Sequence, residues 1–288
     1  MEYKNLSTYF REKYGRRLGK ICIDGGFSCP NRDGKCGTGG CIYCGERGAG
    51  EHINGRLDIR NQVLRALDGK GDDELFVAYF QNFTNTYAPV EVLKERYDAA
   101  LIDERIRVLA IGTRPDCIDE QNAALIASYR ERVDVWVELG LQTANDETAR
   151  RINRGYDRAV FEEAMRILEK YGIPAVVHLI VGLPGENFED IKETTAYISR
   201  FKIFGLKIHS IYVMKGTRRA DMYERGEFTP PTREEYVRGA LHILSGIDPK
   251  TVIHRITGDC PKGMLLAPEW GLDKNGIISE IREKFSKM

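Results

Sequence analysis

Residues 29–44 read CPNRDGKCGTGGCIYC and contain four of the seven cysteines of the chain. The stretch follows a short apolar segment at 21–24 and a glycine pair at 25–26, and it ends in a CxxC pair. Thiolates are soft ligands, so cysteines this dense near the start of a chain indicate an iron–sulfur cluster or a zinc ion. Which of the two is bound decides whether the chain is an enzyme or a binding module.

Length and charge set broad limits on the fold and its partners. The chain has 288 residues, enough for one large α/β barrel or two ordinary domains with a substantial core. Lys and Arg together number 43, as do Asp and Glu, so the formal net charge is zero. This balance gives no global electrostatic argument for a nucleic-acid or membrane partner. A basic run at 11–20 is typical of a solvated face.

The N-terminal sequence and the cysteine count indicate the compartment. The first residues, MEYKNLSTYFREKYGRR, have no apolar core and no small-residue cleavage site, so we do not interpret them as a signal peptide. The sequence has no apolar run of about 18 residues, and no membrane-spanning helix is expected. An odd number of cysteines without a secretory signal argues against a disulfide framework. We therefore expect a cytoplasmic protein with no membrane partner.

Apolar segments alternate with helical patterns after the cysteines. Most of these segments are near-continuous apolar runs, which are typical of parallel strands covered on both faces. The alternation predicts an α/β fold of six units with right-handed crossovers. Periodicity does not distinguish an open doubly wound sheet from an incomplete barrel. The predicted strands are 21–24, 75–81, 107–113, 133–142, 173–183 and 206–213.

The same pattern divides the chain. Residues 1–19 form an N-terminal basic segment, and 20–245 contain the six β/α units. After 245 the pattern weakens, and 246–288 are interpreted as a C-terminal extension with a candidate last strand at 252–257.

Polar side chains collect towards the carboxyl ends of the predicted strands. In parallel α/β folds this edge binds ligands, and the cysteines follow a strand at the same edge. The sequence therefore places cysteines and polar groups around one cavity. The polar residues are Gln81, Asn82, Arg114, Asp116, Glu138, Gln142, His178, His209 and Ser210.

Seven motifs follow one another along the chain. They are GGFSCPNRDG (25–34), GGCIYC (39–44), AYFQNFTNTYAP (78–89), GTRPDC (112–117), VELGLQTANDET…RINRGYD (137–157), HLIVGLPGE (178–186) and LLAPEW (265–270). In this order they resemble the radical S-adenosylmethionine (SAM, AdoMet) enzymes, and among them the YhcC/YtqA type, which is related to the catalytic subunit of Elongator. The resemblance spans about 25–270 and implies a partial (β/α)6 radical SAM barrel with a short C-terminal extension.

The cysteine spacing departs from the usual CxxxCxxC of radical SAM enzymes, because eleven residues separate Cys29 from Cys41. The long spacing matches the YhcC/YtqA type, and the resemblance implies that Cys29, Cys41 and Cys44 hold a [4Fe–4S] cluster. Three thiolates leave one of four irons open. In the family that iron binds AdoMet, whose cleavage gives a 5′-deoxyadenosyl radical that abstracts a substrate hydrogen. Cys36 competes as a ligand.

The resemblance also implies AdoMet-binding residues. Tyr43 occupies the position where the family keeps an aromatic beside the adenine. Gln81, Thr84 and Asn85 follow the second strand, where the family contacts the AdoMet amino group. These side chains also fit a surface or capping role, since a motif match is a hypothesis.

Four further residues are implied in the same way. Glu138 and Gln142 flank the fourth strand at positions that resemble the ribose- and carboxylate-facing residues of the family. Arg154 is expected to pair with the AdoMet carboxylate through its guanidinium fork. Gly182 would let the backbone approach the adenine, although the motif taken alone is better explained as an ordinary Gly-Pro turn. No catalytic residue is assigned, and the roles of Cys36, Cys117 and Cys260 stay open.

Three functions remain in competition. The Elongator relationship implies tRNA, with an aminomethyl-type modification at C5 of a wobble uridine presented from an unstacked anticodon loop. A small amine or amino acid is a second substrate class, and either reaction needs an electron donor such as flavodoxin or ferredoxin. In the third interpretation Cys29, Cys36, Cys41 and Cys44 close a tetrahedral zinc site in a binding protein.

Overall fold

The computed structural model describes residues 2–45, 48, 53, 55–258 and 263–288. Cys260 therefore lies outside the described residues. The strands are β1 (Leu18–Ile23), β2 (Leu75–Phe80), β3 (Ile106–Thr113), β4 (Asp134–Gln142), β5 (Ala175–Val181), β6 (Gly205–Ser210), β7 (Val213–Met214), β8 (Val252–Arg255) and β9 (Leu265–Ala267). Seven of them form one parallel sheet in the order β1-β2-β3-β4-β5-β6-β8, which curls into a half-barrel.

This architecture confirms the predicted fold class. All six predicted strands are present with small shifts of their ends, and the candidate strand at 252–257 becomes β8. β8 pairs with β6, with Gly205 opposite Val252, so the predicted extension supplies a seventh strand to the sheet. The division of the chain at 245 stays a prediction.

Helices follow the strands and cover the convex face of the sheet. The apolar core lies between these helices and the sheet, since strands buried on both faces are continuous apolar runs. The helices are α1 (Leu6–Tyr14), α2 (Ile59–Leu67), α3 (Val90–Ala100), α4 (Glu120–Ser128), α5 (Asp146–Arg151), α6 (Arg158–Lys170), α7 (Phe188–Ile198), α8 (Arg218–Glu224), α9 (Arg233–Gly246) and α10 (Lys274–Ser286).

Side-chain caps begin several helices soon after a strand ends. Asp119 caps α4 and forms a capping box with Asn122. Asn145 caps α5, where its side chain accepts from the N–H groups of Glu147 and Thr148. A capping side chain satisfies N–H groups that the first turn leaves unbonded. These helix starts therefore keep the connections after β3 and β4 short.

The amino-terminal helix α1 closes one end of the half-barrel. We call this end, which is opposite the carboxyl edge of the sheet, the lower end. Phe10 on α1 is buried among residues of the concave face, and its ring lies 6.3 Å from that of Trp136. The basic residues Arg11 and Lys13 of the same helix are exposed. The basic segment is therefore a solvated face of a helix whose other face is core.

The extension also reaches the upper end of the half-barrel. β9 pairs antiparallel with β7, with Ala267 opposite Val213, just beyond β6. Trp270 donates from Nε1 to the carbonyl of Pro231 (2.9 Å) and stacks on Tyr236. Among the described helices, none has the length and apolar character that crossing a bilayer requires.

Candidate active site

The cysteine loop, residues 29–44, follows β1 at the carboxyl edge of the sheet and is folded by its own backbone. Arg32 N donates to Cys29 O (2.8 Å), and Cys44 N donates to Cys41 O (3.1 Å). The first bond closes a turn at one end of the loop, and the second closes the turn between the CxxC cysteines. Backbone bonding therefore fixes the local geometry around all three predicted cluster ligands.

Two asparagines clamp this loop to the segment that follows α5. Asn31 is fully buried, and its Nδ2 donates to Asn153 O (2.6 Å) and points at Cys41 Sγ (3.7 Å). In return Asn153 Nδ2 donates to Gly40 O (2.7 Å). The motif RINRGYD (151–157) thus supports the cysteine loop through hydrogen bonds across more than a hundred residues of sequence.

Backbone strain concentrates at the same edge. Three non-glycine residues in the described ranges have positive φ: Phe83 (57°) after β2, Gln142 (62°) at the end of β4, and Asn153 (54°) beneath the cysteine loop. Left-handed backbone is unfavourable for most side chains and is tolerated best by asparagine. Such outliers cluster at functional sites, where the surrounding structure holds them in place.

The two CxxC thiols shift the pKa values of each other. Cys41 is buried, and its hydrogen bond from Cys44 lowers the pKa of Cys41 to about 6, against the effect of burial. The same bond, with burial, raises the pKa of Cys44 well above its usual value. Metal binding requires thiolates, so a lowered pKa at one of the pair favours it. In the described part of the chain, no three Cys, His, Asp or Glu converge as ligands of a single metal ion.

Cys36 has different partners from the other loop cysteines. Arg114 donates two hydrogen bonds to Asp116 (2.9 and 2.7 Å) at the rim of the site. Cys36 Sγ lies 3.6 Å from Arg114 Nη2 and 3.8 Å from Asp116 Oδ2. Cys117 also contacts Asp116, and burial raises its pKa above that of a free thiol. Cys36 thus belongs to the rim.

A second polar group lies lower, on the concave faces of β4, β5 and β6. Glu138 and Lys207 form an ion pair and are both only 3% exposed. Glu138 also accepts from Trp136 Nε1 (3.2 Å) and bonds His178 Nε2 (2.8 Å), whose ring lies 5.4 Å from that of His209. We call Glu138, His178, Lys207 and His209 the polar floor.

Comparison with known protein families shows which family this chain belongs to. The Radical SAM superfamily matches residues 34–198, more than half of the chain, and the Radical_SAM C-terminal domain matches 203–287. The chain belongs to the radical SAM superfamily. It is an enzyme of that superfamily, and the C-terminal match begins just before β6 and extends through α10.

Individual proteins and one solved structure are also similar to this chain. The uncharacterized protein YtqA of Bacillus subtilis is 36% identical over 98% of this chain and 89% of its own length. Human Elongator complex protein 3 is 26% identical over 57% of this chain and 31% of its own length. An archaeal Elp3 structure from Methanocaldococcus infernus superimposes with a TM-score of 0.67 at 19% identity, covering 93% of this chain and 63%, less than two thirds, of the other.

The cofactors of radical SAM enzymes are a [4Fe–4S] cluster and AdoMet, and the residues of this edge fit both. The loop offers soft thiols for the cluster. Nearby, four fully buried polar atoms have no hydrogen-bond partner among the described residues, which is costly unless a ligand satisfies them. These atoms are Asn31 Oδ1, Asn82 Oδ1, Thr84 Oγ1 and Asn85 Oδ1.

The predicted contacts after β2 lie at this position. Thr84 N donates to Ser28 O (3.2 Å), which joins the segment to the start of the cysteine loop. Asn85 Nδ2 donates to Gly112 O (2.7 Å), which orients its free Oδ1. Gln81 is half-buried directly after β2. Contact of Gln81, Thr84 and Asn85 with AdoMet stays a prediction, now supported by two orphaned oxygens.

The structure assigns Arg154 a different role from the predicted pairing with AdoMet. Arg154 is fully buried, and its Nη1 donates to Leu141 O (2.6 Å) and Thr143 O (2.7 Å). Its Nε and Nη2 donate to Tyr156 O (3.0 and 2.9 Å), and Nη2 lies 3.5 Å from Asp146 Oδ1. These contacts use all five guanidinium donors. Arg154 therefore fastens α5 to the end of β4 and has no donor left for a ligand carboxylate.

Glu138 is also placed differently from its prediction. It lies in the middle of β4, not at its end. Trp136 bonds one of its carboxylate oxygens, and Lys207 and His178 bond the other. Direct contact with AdoMet would require breaking those bonds. Gln142 does lie at the strand end, at a register shift between β4 and β5 that re-aims the side chain, and it remains a candidate AdoMet contact.

Tyr43 and Gly182 are held by apolar packing. Tyr43 packs against the cluster that contains Ile42 and, at its margin, Ile180 of β5. Gly182 has a φ of 90°, and a Cβ there would lie 2.5 Å from the ring of Pro231. The fold therefore requires glycine at 182 for packing alone. Contact of Tyr43 or Gly182 with the adenine stays a prediction.

Sequence reasoning missed Lys207, although it included His178 and His209 among the polar residues near the strand ends. The signal for Lys207 was a lysine inside the apolar run LKIHSIYV (206–213). A lysine in a strand that is buried on both faces needs a partner, because burying an unpaired charge is costly. That partner, Glu138, lies two strands away in the sheet and 69 residues away in sequence.

Proposed function

We propose that Cys29, Cys41 and Cys44 hold the [4Fe–4S] cluster and leave one iron open for AdoMet. The observation that carries this proposal is the difference between Cys36 and the CxxC pair. Cys41 and Cys44 are hydrogen-bonded to each other under the Asn31 amide, whereas Cys36 is bonded to Arg114 and Asp116. A four-thiolate zinc site would need Cys36 to leave the rim.

The bound cofactors would supply a 5′-deoxyadenosyl radical that abstracts a substrate hydrogen. The residues of the chain position and tune them. The Asn31 N–H aimed at Cys41 Sγ acts on the reduction potential, since hydrogen bonds to sulfur are one of the levers that set it. The Asn31–Asn153 clamp holds the loop rigid, as a catalytic constellation requires.

We further propose that the substrate is a tRNA wobble uridine, modified at C5 to an aminomethyl-type product. The support is the similarity to Elongator complex protein 3, whose family relationship implies this substrate. A base must leave its stack to reach a cavity, and anticodon-loop bases do so readily. A flavodoxin or ferredoxin of the cytoplasm would supply the electron.

Electron paramagnetic resonance tests the cofactor part of the proposal. The protein is reconstituted anaerobically with iron and sulfide, reduced with dithionite, and measured with and without AdoMet. We expect a [4Fe–4S]⁺ signal that changes when AdoMet is added, since AdoMet would occupy the open iron. A protein that binds zinc and gives no cluster signal would contradict the proposal.

Binding of tRNA tests the substrate part. With the reconstituted protein we expect saturable binding of unmodified tRNA that weakens steadily as salt increases, because phosphate contacts release counterions. The chain has no net charge, so the binding should depend on a local surface. Absence of tRNA binding at low salt, with an intact AdoMet-dependent signal, would leave a radical SAM enzyme with another substrate.

A further inference from the structure

The polar floor contains polar and charged side chains that the proposed cofactor site does not need for binding the cluster or AdoMet. Glu138, His178, Lys207 and His209 project from the concave faces of three adjacent strands. Lys207 Nζ also donates to Tyr79 OH (3.2 Å) and lies 4.4 Å from the centre of that ring. Buried polar networks are expensive unless they are satisfied, so a network this deep calls for a reason.

The floor lies beneath the cysteine loop. His178 and Ile180 are two residues apart on β5 and therefore share its concave face, and Ile180 is the register partner of His209 on β6. Ile180 packs at the margin of the apolar cluster that contains Ile42 of the loop and is also contacted by Tyr43. A molecule resting on His178 and His209 would thus lie under the side of the loop that carries Tyr43.

The two charged members of the floor neutralise each other. Burial alone would raise the pKa of Glu138, but Lys207 and then His178 hold it well below its usual value. Burial lowers the pKa of Lys207 to about 8 against the attraction of Glu138, so the lysine is mostly protonated at pH 7. Arg255, opposite Lys207 on β8, has an interaction of its own. None of these charges is available to a ligand.

The imidazoles, in contrast, are uncharged and keep hydrogen-bonding capacity. Burial lowers the pKa of both His178 and His209, so each ring is neutral at pH 7. His178 Nε2 faces the Glu138 carboxylate and carries the proton, which leaves its Nδ1 as an acceptor. His209 Nε2 has no hydrogen-bond partner among the described residues. Both residues are half-buried, and His209 Nε2 itself is buried, so leaving it unpaired is costly unless a bound group satisfies it.

We propose that His178 and His209 bind the substrate, and that they select an uncharged group with both a donor and an acceptor, such as the imide edge of a uracil. An ammonium or a carboxylate placed on this floor would be desolvated without a free counter-charge, which is unfavourable. A neutral donor–acceptor edge satisfies His178 Nδ1 and His209 together. This inference rests on the proposed function and decides between its two substrate classes, a nucleobase and a charged amine or amino acid.

The test measures 5′-deoxyadenosine formed by the reconstituted, reduced holoenzyme with three probes. The probes are an unmodified tRNA transcript with uridine at position 34, the same transcript with cytidine there, and glycine. We expect the uridine transcript to raise the rate at least about fivefold over the other two, because cytosine reverses the hydrogen-bonding pattern of the edge. His209→Phe and His178→Phe should each lower that stimulated rate about tenfold, as the loss of a buried hydrogen bond predicts.

The controls separate this inference from the proposed function. His242→Phe removes a histidine of the outer helix α9, which contacts Phe188, and should leave the stimulated rate unchanged. The AdoMet-dependent resonance signal should persist in both floor variants. If that signal is absent from the wild-type protein, the cofactor proposal fails. If the signal is present but glycine stimulates more than uridine, if no probe stimulates, or if the Phe variants match the wild type, the assignment of the floor is wrong.

Discussion

The cysteine loop and the polar floor lie one above the other, but they satisfy their polar atoms in opposite ways. Around the loop, Asn31, Thr84 and Asn85 each keep a buried oxygen with no partner among the described residues. In the floor, Glu138 and Lys207 are bonded to each other. The difference indicates that a bound ligand satisfies the unpaired polar atoms around the loop, whereas the protein itself pairs the charges of the floor.

The largest effect is expected from replacing the cysteines of the loop. Changing Cys29, Cys41 or Cys44 to serine should reduce bound iron after reconstitution to background, because each replaces a soft thiolate with a poor iron ligand. Cys36→Ser is the matched control, since Cys36 is engaged with Arg114 and Asp116, and should keep nearly all of the iron. Iron and sulfide analysis measures both. Metal loss in Cys36→Ser would instead favour the four-cysteine zinc site.

The next largest effect is expected from removing the lysine of the ion pair in the polar floor. Lys207→Met should lower the free energy of unfolding by about 3–5 kcal/mol, because it leaves the Glu138 charge buried without its cation. The double variant with Glu138→Gln should recover most of that loss, since it removes both charges together. Urea unfolding of the two proteins measures the difference. A single variant that loses less than about 1 kcal/mol would show that the pair is solvated.

These two regions also differ in how far the sequence predicts them. The cysteine loop and the strands are local patterns: soft ligands at close spacing, and apolar runs broken by helices. The ion pair of the floor joins residues 69 positions apart, and only the order of the strands brings them together. The contacts of Arg154 are hard to predict for a related reason. Its partners are mostly backbone carbonyls, whose direction a sequence does not encode, so a buried support resembles a ligand-binding guanidinium.

The support of the loop gives a smaller effect. Asn153→Ala removes the amide that bonds Gly40 O and places alanine at a φ of 54°, so it should cost about 2–3 kcal/mol of unfolding free energy. Asn153→Gly removes the same amide but accepts this φ, and should cost about 1 kcal/mol less. Urea unfolding separates the two contributions. Equal losses would mean that the left-handed backbone at this position is not strained.

The smallest effect compares two glutamates, the buried Glu138 in the floor and the half-buried Glu186 in the loop after β5. Burial raises the pKa of Glu186 to about 7, and the charge of Asp190 adds to the rise, against the lowering effects of the Thr143 hydroxyl and of Arg151. The pKa of Glu138 moves the other way. The pKa of a carboxyl that is mainly desolvated and the pKa of a carboxyl paired with a lysine therefore shift in opposite directions.

The pH dependence of stability follows from these directions. Between about pH 4.5 and 7 folded Glu186 holds a proton that the unfolded chain has released, so the free energy of unfolding should fall by about 2 kcal/mol as pH rises through this window. Glu186→Gln should remove that fall and be more stable than the wild type at pH 8, whereas the exposed Glu189→Gln should not. Glu138 contributes stability above about pH 4.5 that is lost on further acidification, so its contribution is complete where that of Glu186 begins to decline. Urea midpoints at pH 5 and pH 8 measure the effect. An unchanged slope in Glu186→Gln would mean that water reaches this carboxyl, and the contrast with the floor would then rest on Glu138 alone.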